Sequence, residues 1–193
     1  MKIMLLAVLC AAGTLGSQAS WAQRAPREAG RGGFLLQVDA DFGGEKLVTV
    51  EYEDFSQDIR AGQGLAVSLG AWFRPVESAA FEIQASVGYK YDATFDSDAD
   101  VELSRTLFQL EGLYRWQNGF YLGAGYVRHI GPKLAIDEFD IEFDDANGAN
   151  VEAGWRWIGL HYNHMRYSIG PFDDINADAV GIRFTWRPGE RWF

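Results

Sequence analysis

A chain of 193 residues that is 48% hydrophobic is long enough to bury one core, and a formal net charge of −10 argues against a nucleic-acid partner. Its single cysteine, Cys10, falls in the leader described next, so the exported chain has no disulfide and no thiolate metal site, and no cofactor is expected.

Residues 1–22 begin with Lys2, continue in an apolar run and end in Ser20, Trp21 and Ala22, the pattern of a cleaved secretory signal peptide. The run is shorter than the ~20 residues of a spanning helix. Leu9 before Cys10 argues against a lipoprotein signal. Residues 23–32, with Arg24, Arg27 and Arg31 among glycines, read as a flexible tail. No later stretch approaches a spanning helix, so membrane entry would require a closed barrel, the other arrangement that pairs every backbone group in lipid.

From there the chain alternates at period two. In the first segment Phe34, Leu36, Val38, Ala40 and Phe42 oppose Leu35, Gln37, Asp39 and Asp41. In residues 64–74, Leu65, Val67, Leu69, Ala71 and Phe73 oppose Ala66, Ser68, Gly70, Trp72 and Arg74. Residues 81–92 set Phe81, Ile83, Ala85, Val87, Tyr89 and Tyr91 against Glu82, Gln84, Ser86, Gly88, Lys90 and Asp92, which no helix can present as two faces. Residues 105–116 place Thr106, Phe108, Leu110, Gly112, Tyr114 and Trp116 against Arg105, Leu107, Gln109, Glu111, Leu113 and Arg115. Residues 150–157 oppose Val151, Ala153, Trp155 and Trp157 to Asn150, Glu152 and Arg156. The end of the chain sets Val180, Ile182, Phe184 and Trp186 against Arg183, Thr185 and Arg187. Two segments are less tidy. In residues 120–129, Tyr121 and Val127 interrupt the polar face, and residues 160–169 lose parity near His164, as a bulge or a strand leaving a bilayer would cause.

Eight strands are predicted, at roughly 33–43, 63–74, 80–94, 101–117, 119–134, 148–157, 159–169 and 177–187. Tight turns at 75–79, 117–119 and 157–159 alternate with longer links, which is the layout of outer-membrane barrels with both termini on the short-turn rim. The barrel is expected over 33–188, with 189–193 as a C-terminal tail after Pro188, which cannot donate to a ladder.

The apolar face is aromatic near strand ends, at Phe73, Phe81, Tyr91, Tyr114, Trp116, Phe120, Trp155, Trp157 and Trp186, as interfacial girdles require. The other face carries both charge signs. Asp39, Glu82, Lys90, Arg105, Glu111, Arg115, Glu152, Arg156 and Arg183 are predicted to pair inside the lumen, because eight strands leave room for little but side chains. A narrow conducting path is the alternative use of the same charges.

These features resemble the small eight-stranded outer-membrane barrels of the OmpA-like and OmpX-like kind. The resemblance covers about 33–188 and is carried most by the last hairpin, GLHYNHMRYS followed by ADAVGIRFTW, and by the leader before the first strand. It implies an all-β, antiparallel up-and-down transmembrane barrel in a bacterial outer membrane. Its expected partners are outer-membrane lipids, lipopolysaccharide and the barrel-assembly machinery, and the expected state is a monomer. In that family the last strand closes the barrel and its outward aromatics are read during assembly. Here Phe193 is out of parity with Trp186, so either a bulge near Pro188 restores it or Trp186 takes that role.

The long links are acidic, with Glu45, Glu51, Glu53, Asp54 and Asp58 in the first and Asp137 to Asp145 rich in carboxylates in the third. They read as a hydrated cap, or as ligands for divalent cations. The run DSDAD at 96–100 lacks the glycine and closing Glu of a calcium loop. KLVTVEYEDF alternates and reads either as an extension of the first two strands with a pairing edge or as a self-contained hairpin. Some outer-membrane barrels are lipid A deacylases using His, Ser and an acid. His161, His164 and Ser168 lie on one segment without that family's spacing, and His129 stands apart, so no catalytic set is assigned. The expected role is non-enzymatic, in envelope integrity or surface interaction. The alternatives are a porin-like channel, a lipid A-modifying enzyme, and a soluble periplasmic barrel holding an apolar ligand.

Overall fold

The computed structural model describes residues 32–51, 56–74, 80–94, 101–136, 139–170 and 172–189. The proposed signal peptide, most of the N-terminal tail and residues 190–193 lie outside the described residues. The strands are β1 (Gly32–Phe42), β2 (Lys46–Glu51), β3 (Ser56–Arg60), β4 (Gly64–Phe73), β5 (Phe81–Ala93), β6 (Val101–Arg115), β7 (Phe120–Ile136), β8 (Phe139–Glu142), β9 (Ala146–Trp155), β10 (Ile158–Ile169), β11 (Phe172–Asn176) and β12 (Ala179–Trp186).

Eight of these form a closed antiparallel ring in the order β1, β4, β5, β6, β7, β9, β10, β12. The seam is β12 on β1, in register from Leu36↔Trp186 to Phe42↔Val180. The expected all-β, eight-stranded up-and-down barrel therefore holds, with the first strand taking Gly32 from the expected tail. Strands β2, β3, β8 and β11 lie within the long links, on the rim opposite the short turns.

Along most of the ring the polarity is the reverse of a soluble core. On β5, Phe81, Ile83, Val87 and Tyr89 face out and are exposed, while Glu82, Gln84, Ser86 and Lys90 are buried within. Toward the long-link rim the usual polarity returns. Val101, Leu103, Leu107, Val127, Leu134, Met165 and Tyr167 point inward and pack with Ile59, Ala61, Phe143, Ala146 and Ala177 into an apolar plug. The β2–β3 hairpin supplies Ile59 and is a two-stranded sheet of its own, so KLVTVE forms a self-contained hairpin rather than an extension of the barrel strands.

The plug explains the untidy segments. Strand β10 keeps strict parity, with His161, Asn163, Met165 and Tyr167 all inside. Its sequence changes near His164 because the interior changes there from polar to apolar. Strand β7 does contain a bulge, where Ser104↔Lys133 and Thr106↔Ile130 leave Gly131 and Pro132 opposite Arg105. Gly131 takes the left-handed backbone, φ 57°, that the irregularity requires.

Candidate functional site

The lumen is filled by a layered polar network built from the inward positions of all eight ring strands. Nearest the short-turn rim, Glu82 of β5 collects three guanidiniums. Arg187 donates from Nη1 and Nη2 at 3.0 and 2.6 Å, Arg74 from Nε at 3.1 Å, and Arg115 Nε lies 3.5 Å away. Gln84 Nε2 adds a hydrogen bond to Glu82 at 2.8 Å. Trp72 lies beneath Arg74 and Arg187, and Tyr121 beneath Arg115, so aromatic faces receive part of the positive charge.

The next layer inverts that stoichiometry, with one guanidinium on three carboxylates. Arg183 grips Asp39 through Nε and Nη2 at 2.8 and 3.1 Å, while its Nη1 reaches both Glu111 and Glu152 at 2.7 Å. Tyr121 donates to the other Glu152 oxygen at 2.5 Å. Above it, Asp41 accepts from Lys90 Nζ at 2.5 Å and lies 2.6 Å from His161 Nε2. Lys90 also donates to the Gly62 carbonyl at 2.6 Å, tying the first long link into the lumen. At the base of the plug are Arg105, whose Nη2 donates to the Gln63 carbonyl, and His129, whose Nδ1 lies 2.6 Å from the Tyr167 hydroxyl.

Glycines make this filling possible. A Cβ at Gly181 would stand 1.8 Å from Asp41 Oδ1 and 2.6 Å from His161 Nε2. At Gly159 it would stand 2.3 Å from Glu152 Oε1 and 2.4 Å from the Tyr121 hydroxyl. Both pairs lie directly over backbone that no other residue would leave bare.

Of the nine residues expected in the lumen, Asp39, Glu82, Lys90, Arg105, Glu111, Glu152 and Arg183 are buried there, and Arg115 lies at its mouth on Glu82. Arg156 is a correction. Strand β9 stops at Trp155, and Arg156 occupies the β9–β10 turn with φ 56°, its guanidinium 4.4 Å over the Trp155 ring. The expected strand at 148–157 runs two residues beyond the observed end. The network also takes Asp41, Arg187, His161 and Tyr121, which the expected set omits. Parity alone identifies His161, because it shares its face with Asn163 and opposes Leu160 and Tyr162.

All nine expected aromatics face outward and are exposed. Phe73, Phe81, Tyr114, Trp116, Phe120, Trp155, Trp157 and Trp186 ring the short-turn rim together with Phe34. Tyr91 belongs to the opposite ring, with Phe42, Tyr126 and Tyr162.

His161 and His164 lie on opposite sides of the β10 wall. His161 is inside on Asp41, and His164 is outside, 2.9 Å from Asp178. Ser168 Oγ donates to Asp144, not to a histidine. Among the described residues no group of three or more His, Cys, Asp or Glu is placed to hold a metal ion, and the DSDAD run lies outside them.

The rim above carries cross-linked acids. Asp58 accepts from Lys46 and Thr49, and the Lys46 contact first among these holds its carboxyl below the usual value. Asp145 is lowered by the Gly131 amide and then by Arg128. At Asp178 partial burial pushes the carboxyl up, but hydrogen bonds from Tyr162 and the Met165 amide, with His164 alongside, bring it below the usual value.

No family model matches the chain, and no curated protein does. Among solved structures it is similar to neisserial surface protein A, at 13% identity over 78% of this chain and 96% of that one, TM-score 0.43. It is similar to Ail, the attachment invasion locus protein of Yersinia pestis, at 8% identity over 80% and 97%, TM-score 0.41. It is also similar to the N-terminal β-barrel domain of Pseudomonas aeruginosa OprF, at 13% identity over 80% and 99%, TM-score 0.36.

Proposed function

We propose that this chain is a non-enzymatic outer-membrane barrel whose plugged stalk holds a folded cap at the bacterial surface, serving envelope integrity or surface interaction. The observation that carries this reading is the place where polarity inverts. Between the two aromatic rings the wall is apolar outside and charged inside; beyond the upper ring it is apolar inside and polar outside. Phe34 and Phe42, on the two rings, are eight residues apart on β1, about 26 Å along a strand. At the usual tilt this is about 20 Å along the axis, close to the ~25 Å apolar band of outer-membrane barrels. Water offers no reason for Leu65, Leu69, Val87 and Leu160 to be exposed in one belt; hydrocarbon does.

Two features favour a stalk over a channel. Apart from Arg105, the lumen charges are committed to one another in successive layers, and the apolar plug lies across the path above them. The same features support a non-catalytic role, since among the described residues no His meets a Ser with an acid behind it. Outer-membrane lipids and lipopolysaccharide are the surroundings this belt fits, and a monomer suffices because the ring is closed.

The test is reconstitution of the refolded protein in planar bilayers and detergent. The proposal expects heat-modifiable migration on gels and no single-channel conductance steps. Discrete conductance would favour the porin reading, and solubility without detergent would remove the membrane altogether.

A further inference from the structure

The top layer of the lumen has more donors than acceptors. Arg105 is 1% exposed, and of its guanidinium only Nη2 has a partner, the Gln63 carbonyl. Its Nε and Nη1 are buried without one. Lys90 stands directly opposite Arg105 in the β5–β6 register, so like charges face each other. Asp41, the fully buried carboxylate of this layer among the described residues, already serves Lys90 and His161.

His129 adds a third donor. It pairs across strands with Leu107, the next inward position on β6 after Arg105. Its Nδ1 is within 2.6 Å of the Tyr167 hydroxyl, and its Nε2 is buried with no partner. If Tyr167 donates to Nδ1, the ring proton sits on Nε2 and only that N–H is left over. The other tautomer strands both the Tyr167 O–H and the Nε2 lone pair, so it costs one more unmade hydrogen bond. Three donor nitrogens, all within the lumen and under an apolar plug, therefore lack an acceptor. Native proteins seldom leave such groups bare.

We propose that Arg105 Nε, Arg105 Nη1 and His129 Nε2 form a buried binding site for a small monovalent anion such as chloride. Three donor nitrogens against one spare Asp92 oxygen leave room for a halide, and the low-polarity plug of Leu103, Leu107 and Val127 strengthens the attraction of Arg105. A doubly charged oxyanion is disfavoured because Asp41 is held in the same layer. Asp92 on β5 is the nearby carboxylate with an oxygen to spare, yet it makes no ion pair with Arg105 among the described residues.

The experiment uses the full refolded chain. In crystals grown with sodium bromide, the site predicts an anomalous peak against Arg105 and His129. In detergent, replacing gluconate by chloride at constant ionic strength should raise the melting temperature by about 3 °C, a shift expected of a ligand in modest excess over its dissociation constant. Arg105→Gln and, separately, His129→Phe should each abolish that chloride-specific shift; the second keeps the cation in case the first fails to fold. A water or the Asp92 carboxylate in place of bromide would overturn the site, as would a chloride shift of equal size in wild type and both variants.

Discussion

Arg183 and Asp39 face each other in register across the β12–β1 seam, joined by two parallel hydrogen bonds of 2.8 and 3.1 Å. The strand pair that closes the ring is thus fastened inside by a bidentate ion pair, which fixes geometry as well as sign.

Removing the two partners should not be equivalent. Arg183→Met leaves Asp39, Glu111 and Glu152 buried together without their shared cation and should cost about 3–5 kcal/mol. Asp39→Asn leaves Arg183 on two carboxylates and should cost about 1–2 kcal/mol. Urea unfolding in lipid vesicles measures both, and an equal loss would argue against Arg183 as the hub.

Gly181→Ala places a methyl on the Asp41–His161 contact. The expected loss is about 1–3 kcal/mol, as for other overpacked interiors. Nitrogen NMR of the His161 ring should report the separation directly, whereas an unchanged ring signal would mean the wall yields instead.

The cap and the belt should come apart on different treatments. Ile59→Ala removes a fully buried side chain from the plug and should cost about 2–4 kcal/mol locally. Proteolysis of the β2–β3 hairpin should then accelerate while heat-modifiable migration persists.

Acid should act on the same rim through Asp178. Its folded value lies below the ordinary 3.8, so the stabilisation it provides is present above that value and is lost as pH falls through the folded one. Amide exchange at Met165, which donates to Asp178, should quicken below about pH 3.8, and Asp178→Asn should flatten that dependence. A rise in exchange centred near neutral pH would contradict this.

The aromatic ending of the chain divides two readings of assembly. Trp186 is outward and 60% exposed at the end of β12, and the backbone turns at Pro188 and Gly189. If Trp186 serves as the terminal aromatic, deleting Trp192 and Phe193 leaves insertion unchanged and Trp186→Ala impairs it. The opposite pattern assigns the role to Phe193.

The eight ring strands were legible because lipid-facing and lumen-facing positions alternate along most of their length, as on β5 from Phe81 to Lys90. Inward charges followed from the same parity. Arg156 misled because a two-residue turn does not break the alternation of aromatics around it, Trp155 and Trp157 both facing out. The plug was not legible, because its members Ile59, Phe143, Tyr167 and Ala177 come from segments far apart whose apolar residues have no common period. His161 was less legible because the inward face of β10 turns from polar to apolar at Met165 and Tyr167, which blurs the parity that places His161 inside.

The central claim is that the wall is greasy outside and charged inside, and lipid contact measures it most directly. Cys10 is the chain's one cysteine, so single cysteines can be placed in turn at Ile83, Gln84, Ala85, Ser86 and Val87 and labelled with a polarity-sensitive fluorophore. In vesicles with brominated acyl chains, quenching should be strong at 83, 85 and 87 and weak at 84 and 86. Quenching that fails to alternate, or that alternates the other way, would contradict the account.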